Sequence, residues 1–304
     1  MNTSNSFSLL LESDISSSEE MLPVKEKDLS DTRVIRTPKD LKRDKNPIRV
    51  DEDLYNPTLI VDPITYNQKT YNIIRDDYLS GGTKQRGMVP LMEHSNATEF
   101  VYAGPTTGYA QIALAYAAKL TGKNATIIVN KDKHMHPFTR KAFDFGANVI
   151  PIQHGHLQKI QAKAVSYVNN RAYAELIPFG GSSPEFMRFM QTSIENALPP
   201  VLQDLIEDGG PKRMWIVGGS ATLLNVLYKV FPKTYFTVIQ IGKKIWDDQL
   251  DLTRTTKHIA IEKFKEPATF IPPYPSVSTY DAKLWIFAAQ YGKDGDYIWN
   301  VAAD

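Results

Sequence analysis

The chain has 304 residues, 42% of them hydrophobic and 23% charged, which is enough for one large or two small packed domains. Lys+Arg 35 against Asp+Glu 34 give a formal net charge of +1, which argues against a nucleic-acid coat or a polybasic membrane binder. No apolar run is long enough to span a bilayer, and zero Cys excludes disulfides, thiolate nucleophiles and Cys-based metal centres.

The N-terminus lacks the basic-then-apolar order of a signal peptide, so composition predicts a soluble cytoplasmic protein. Residues 1–55 differ from the rest. The first twenty are rich in Ser and Asn and slightly acidic, and residues 25–49 carry nine basic and five acidic side chains with almost no clustered hydrophobes. Such a segment cannot bury enough apolar surface to offset its backbone entropy, and it reads as a disordered leader. Its basic residues Arg36, Lys39, Lys42, Arg43 and Lys45 leave open a phosphate-seeking arm, against the plainer reading of a solvated tail.

From residue 56 onward, short β-branched or aromatic runs alternate with stretches of helical period. Strands are predicted at 58–61, 71–74, 99–102, 126–130, 148–152, 214–217 and 236–241. Helices are predicted at 84–93, 108–120, 137–145, 157–169, 184–206, 221–230 and 281–291. Residues 243–275 read as an irregular surface excursion. This alternation predicts an α/β fold with parallel sheets wrapped by helices, and ligands at the C-terminal ends of strands.

Four segments carry chemistry. In the first, a strand enters a turn at Gly81-Gly82 and a helix opens at Lys84. A cation there opposes the helix dipole, which is poor for stability and good for a nucleophilic amine; a solvated Lys after a common turn is the alternative. In the second, Thr106-Thr107-Gly108 precede an Ala-rich helix, and their hydroxyls and free amides suit a carboxylate, although Thr107 also suits a plain N-cap. The third is Gly218-Gly219-Ser220-Ala221-Thr222, a strand–helix turn of small residues that suits a phosphate or a tight turn with no ligand. The fourth is Tyr280-Asp281, where an acid opening a helix could also hold a ring nitrogen protonated. Together these are the contacts that pyridoxal phosphate needs.

In order and spacing the segments resemble the pyridoxal-phosphate enzymes of the tryptophan synthase β-subunit-like fold (fold type II), nearest the branch of 1-aminocyclopropane-1-carboxylate deaminase and D-cysteine desulfhydrase. The branch pattern KRDDLxGGNKxR is met by IRDDYLSGGTKQR at 74–86, and TSGNHAxALAYAA by TTGYAQIALAYAA at 106–118. IPxGGSNP is met by IPFGGSSP at 177–184, the phosphate loop GSGGT by GGSAT at 218–222, VY[EST]GK by TYDAK at 279–283, and W[HN]TGG by WNVAA at 299–303. The resemblance covers about 65–304 and implies two open twisted parallel-sheet domains with the cofactor between them. The smaller would lie at about 95–178 within a catalytic region 56–304.

By this resemblance, pyridoxal 5'-phosphate would form an internal aldimine with Lys84, which would later move the Cα proton. Gly218, Gly219, Ser220, Ala221 and Thr222 would bind the phosphate, and Asp281 the pyridine nitrogen. Thr106, Thr107 and Gly108 would hold the substrate carboxylate, and Tyr280 would lie beside the substrate. Tyr109 stands where the family has the Asn that contacts the cofactor's 3′ oxygen, and is counted with the cofactor contacts. Thr83 replaces the Asn before the lysine, Ser220-Ala221 replace a Gly pair, and the chain reads as a divergent, shortened member.

An acid against the ring nitrogen keeps it protonated and stabilises a quinonoid state, whereas many β-eliminating members of the fold use Ser or Thr. The implied activity is a lyase or deaminase acting at Cα of an amino acid. Two alternatives stay open: an amino acid attached to a larger carrier such as a modified nucleotide, and a non-catalytic binding protein that keeps the fold. The resemblance also implies a homodimer. The paired histidines His134/His136 and His154/His156 read as exposed loop residues with no metal role, because no third ligand accompanies them.

Overall fold

The computed structural model describes residues 50–304 apart from 154 and 155. The leader up to residue 49, with its basic arm, and His154 lie outside the described residues.

In chain order the elements are α1 Glu52–Tyr55, β1 Val61–Tyr66, β2 Lys69–Arg75, α2 Gln85–His94, β3 Glu99–Ala103, α3 Ala110–Thr121, β4 Asn124–Asn130 and α4 Pro137–Asp144. There follow β5 Asn148–Ile152, α5 Leu157–Asn169, β6 Ala174–Ile177, α6 Pro184–Asn196, α7 Pro200–Ile206, β7 Arg213–Gly218, α8 Thr222–Val230, β8 Tyr235–Gln240, β9 Thr255–Ile259, α9 Trp285–Tyr291 and β10 Asp296–Asn300.

Two sheets form. A six-stranded sheet has the order β1-β2-β10-β7-β8-β9, and a four-stranded sheet, built wholly between residues 99 and 177, has the order β5-β4-β3-β6. All pairings are parallel except β1 with β2, which are antiparallel neighbours joined by a tight turn at Asn67 and Gln68. Parallel strands need crossovers, and the helices between them supply these while covering the apolar faces. The burial of β4 (Ala125 to Val129) and of β10 along its whole length is what central parallel strands require.

Local chemistry fixes the helix ends. Ser183 caps α6 by accepting from the Phe186 N–H at 3.2 Å, with Pro184 at the first helical position. α3 stops at Gly122, whose φ of 65° is the left-handed C-terminal geometry. α2 packs closely on α6: a Cβ at Gly87 would stand 3.0 Å from Met190 and Phe186. Each fully buried large side chain here, such as Trp299 or Phe186, contributes roughly 1.5–3 kcal/mol.

The structure differs from the sequence expectations in five places. The first strand runs over 61–66, not 58–61, because its pairing with β2 sets the register. The single helix expected over 184–206 breaks at Pro199-Pro200 into α6 and α7, since the residue before a proline avoids helical geometry. The 281–291 helix begins as a 3-10 turn, Asp281–Leu284. The short strands β6, β9 and β10 were not expected, and β9 lies inside the 243–275 excursion. Composition places residues 52–55 in the leader, yet here they form α1 with Tyr55 buried.

Candidate active site

The C-terminal ends of β2, β10, β7 and β8 in one sheet, and of β3, β4 and β6 in the other, open on one cavity of ≈ 770 Å³. That size falls in the range of small-molecule sites.

After β2 the chain makes a 3-10 turn (Asp76–Tyr78), then the Gly81-Gly82 turn, and presents Lys84 at the mouth of α2. Gly82 has φ +62°, and a Cβ there would stand 2.6 Å from the Val301 carbonyl oxygen, so only glycine fits. Each neighbour of Lys84 is pinned. The Thr83 N–H donates to Val301 O at 3.0 Å, and Thr83 Oγ1 accepts from Trp299 Nε1 at 2.9 Å. Gln85 accepts from the Gly81 N–H at 3.0 Å and donates to Tyr55 O at 2.9 Å, while buried Arg86 pairs with Asp76 at 2.7 Å.

Lys84 itself is half-buried, lines the cavity, and has no ion-pair or side-chain hydrogen-bond partner among the described residues. Removal from water pushes its amine down to about 8 from the usual 10.5, with the Asp281 charge opposing the shift.

Asp281 lies on the turn before α9 and is buried. Its Oδ1 accepts the Val301 N–H at 3.1 Å; its Oδ2 is buried with no partner among the described residues. Burial holds the carboxyl well above the usual range, against the pull of the Val301 and Ala302 amides. Val301 therefore joins both halves of the site: its N–H reaches the acid and its carbonyl reaches the lysine turn. Tyr280 beside it is raised by burial, then by the Asp281 charge, and takes a hydrogen bond from the Gly219 amide.

β7 ends at Gly218, and the loop to α8 carries Gly219, Ser220 and Ala221. Ala221 has φ 56°, the left-handed geometry that a glycine would adopt freely, so the loop keeps a glycine-like path at a conformational cost. The Ser220 and Thr222 hydroxyls lie 3.0 Å apart at the start of α8. Gly180, at φ +77°, packs against this loop so closely that a Cβ would stand 2.5 Å from Ser220 Cβ.

β3 ends at Ala103 and leads to Thr106-Thr107-Gly108. The Thr106 hydroxyl donates to Asp132 at 2.7 Å, and Gln111 donates to the carbonyls of Thr106 and Gly108 at 2.7 and 2.9 Å. Thr107 Oγ1 is buried without a partner among the described residues. Tyr109 lines the cavity with its ring, while its hydroxyl accepts from Lys141 at 3.1 Å and faces the carbonyls of Ser80 and Ala303 at 3.4 Å. Burial raises that phenol to about 12.

The residues singled out in the sequence, Lys84, Thr106, Thr107, Gly108, Tyr109, Gly218, Gly219, Ser220, Ala221, Thr222, Tyr280 and Asp281, all line this cavity. Phe179, Gly180, Phe264, Lys243 and Lys265 line it too and were not singled out for a site role. The signal for Gly180 was its place in the IPFGGSSP element; the excursion that carries Lys243 and Lys265 gave none. His136 caps α4 by accepting from the Phe138 N–H at 3.2 Å, and His156 lies on the cavity wall. Among the described residues no three His, Asp or Glu side chains group as a metal site.

No family model and no curated protein matches the sequence. Solved structures do match. An ACC deaminase homologue superposes with a TM-score of 0.68 at 13% identity, covering 85% of this chain and 92% of that one. A threonine deaminase from T.th. gives 0.59 at 14% identity over 84% and 98%. The processed form of threonine deaminase isoform 2 from Solanum lycopersicum gives 0.59 at 12% identity over 83% and 81%. With its parallel sheets and the site at their strand ends, the chain has the tryptophan synthase β-subunit-like fold, fold type II of the pyridoxal-phosphate enzymes.

Proposed function

We propose that the protein binds pyridoxal 5'-phosphate at Lys84 and acts at Cα of an amino acid as a lyase or deaminase. The observation that carries this reading is the pairing, around one cavity, of an amine and a buried carboxyl oxygen that each lack a partner among the described residues. Buried polar atoms are ordinarily hydrogen-bonded, so orphans that line a cavity mark where a ligand completes the set. The residues fit the cofactor at each of its polar ends. Asp281 Oδ2 suits the ring nitrogen, the amides and hydroxyls of 219–222 suit the phosphate, and Lys84 suits the aldehyde. The deaminase names among the structural neighbours agree with an amino-acid substrate.

When bound, the cofactor supplies an aldehyde carbon and a ring that takes up the electron pair released at Cα. The protein's own residues supply the rest. An amine with a pKa of about 8 is neutral in roughly one molecule in ten at pH 7, far more than an ordinary lysine. Nζ of Lys84 is thus competent first as nucleophile and then as the base that takes the Cα proton. Asp281 Oδ2 shares one proton with the ring nitrogen, and its burial keeps water from competing for that proton. Thr107 Oγ1 donates to the substrate carboxylate. The Thr106 hydroxyl is already committed to Asp132, so that residue and Gly108 contribute main-chain groups. Tyr280 stays protonated and donates beside the reacting carbon. Tyr109 serves as a wall, its hydroxyl being held by Lys141.

The test is borohydride reduction of the cofactor-loaded protein followed by peptide mapping. The label is expected on Lys84 and is absent from Lys84→Ala; a label at another lysine, or none, overturns the reading. A screen of small amino acids then scores release of ammonia with a 2-oxo acid. The proposal includes a cytoplasmic homodimer, which sedimentation of the purified protein checks for oligomeric state.

A further inference from the structure

We propose that the mouth of this cavity is a cationic subsite, made by Lys243 and Lys265, for an anionic group at the far end of the substrate's side chain, a carboxylate or a phosphate ester. This rests on the reading of the site given above.

The two lysines differ from their neighbours in the same stretch of chain. Lys244 lies 3.6 Å from the Trp246 ring centroid, Lys257 pairs with Asp247 at 2.6 Å, and Lys263 reaches Glu266 at 3.8 Å. Lys243 and Lys265 line the cavity, and neither ammonium has an ion pair or hydrogen bond among the described residues. Lys243 faces the Phe179 ring at 5.7 Å across the mouth.

The rim that carries them is built. Gly242 has φ +75°, and a Cβ there would stand 2.7 Å from the Phe264 ring, so residues 242 and 264 touch, and each is followed by a lysine that lines the cavity. Lys283, fully buried, donates to Lys263 O at 2.7 Å and ties that loop to the Asp281 turn. Glu262 takes the Thr269 amide and hydroxyl, each at 2.7 Å.

Charge is uneven along the cavity. Asp281 is the one carboxylate among its lining residues, and it is buried and near enough to Lys84 for its charge to act on that amine. Two further acids lie near the rim without lining it: Asp132 accepts from Thr106 at 2.7 Å, and Asp304 accepts from the Ser278 amide at 2.9 Å. The cofactor phosphate and the substrate α-carboxylate have their own donors at 219–222 and 107. The outer cations form no ion pair among the described residues, and Phe179, Phe264, Leu157 and Ile160 form an apolar collar that suits a methylene spacer.

The test compares apparent dissociation constants of the cofactor-loaded protein for charged and neutral partners of equal length: 2-aminoadipate against norleucine, and O-phosphoserine against O-methylserine. Wild type should favour the anionic member by about tenfold, less at high salt. In Lys243→Gln/Lys265→Gln the preference should fall to about twofold or less, with cofactor affinity unchanged. Whichever pair shows the larger preference distinguishes carboxylate from phosphate. Equal affinity for both members overturns the proposal, as does a double variant that weakens the cofactor and leaves the preference intact. If the protein takes up no cofactor, the functional reading falls separately, and titration of cofactor-free protein with glutarate and inorganic phosphate decides the subsite. Binding lost in the double variant upholds it; binding equal in both proteins ends it.

Discussion

Two turns of this molecule place a lysine at the start of a helix away from bulk water, and they treat it in opposite ways. In the 281–284 turn, Lys283 is fully buried and donates to the Lys263 carbonyl at 2.7 Å. In the 82–85 turn, Lys84 is half-buried, and its neighbours on both sides are pinned while its own ammonium has no acceptor among the described residues. The pKa of each is lowered by burial; Glu262 and Glu266 oppose the shift at Lys283, and Asp281 opposes it at Lys84. A sequestered charge with acceptors holds loops together, whereas one without them is held ready for a ligand.

The largest effect should separate the two in activity. Lys84→Ala is expected to lower turnover of the cofactor-loaded protein by about 10³-fold or more, while Lys283→Met stays within about tenfold of wild type in kcat. Comparable losses in steady-state assays of the two variants would remove the distinction.

Stability should separate them with opposite signs. The folded pKa of Lys84, about 8, lies below its unfolded value of 10.5. The unfolded chain therefore binds the extra proton, the penalty is fully present below pH 8, and it is relieved as pH rises from 8 to 10.5. Cofactor-free Lys84→Met should then be more stable at pH 7 by about 2 kcal/mol. Lys283→Met should be less stable by about 1–3 kcal/mol, because carbonyls lose a donor in the interior. Denaturant melts at pH 7 and at pH 10 check both signs, and the gain in Lys84→Met should shrink at the higher pH.

A direct titration sharpens the Lys84 side. Its labelling by an amine-reactive reagent in cofactor-free protein should rise with a midpoint of about 8, and Asp281→Asn should move the midpoint lower by removing the opposing charge. Peptide-resolved mass spectrometry reads this, and a midpoint near that of an exposed lysine would contradict it. The smallest effect belongs to the 218–222 loop. Ala221→Gly should stabilise the protein by about 0.5 kcal/mol, the left-handed strain exceeding the added chain entropy. An unchanged or lower denaturation midpoint would show that the loop carries no such strain.

Much of the site was legible because its residues follow strand ends and glycine turns, which are local signals. Lys84 after Gly81-Gly82, the 218–222 loop after β7 and Asp281 after Tyr280 all announce themselves this way. The fold class was legible from alternation. β10 was not: it is five residues long and gains its place between β2 and β7 through distant pairing, which no local window records. At Pro199-Pro200 two local signals compete: the apolar pattern continues through the pair, while the prolines break the helix. Lys243 and Lys265 gave no local sign, since what brings them to one rim is the Gly242–Phe264 contact and the reach of Lys283.

The junction at Val301 has a consequence for how such proteins diverge. It links acid and amine through the peptide unit alone, its N–H to Asp281 and its carbonyl to Thr83. Any residue except proline offers the same two main-chain groups, so the side chain at this position answers to core packing and the cavity wall and not to the wiring. A change of side chain there would leave both bonds in place, one way in which a fold persists where identity is as low as the 13% of the ACC deaminase homologue that superposes on this chain.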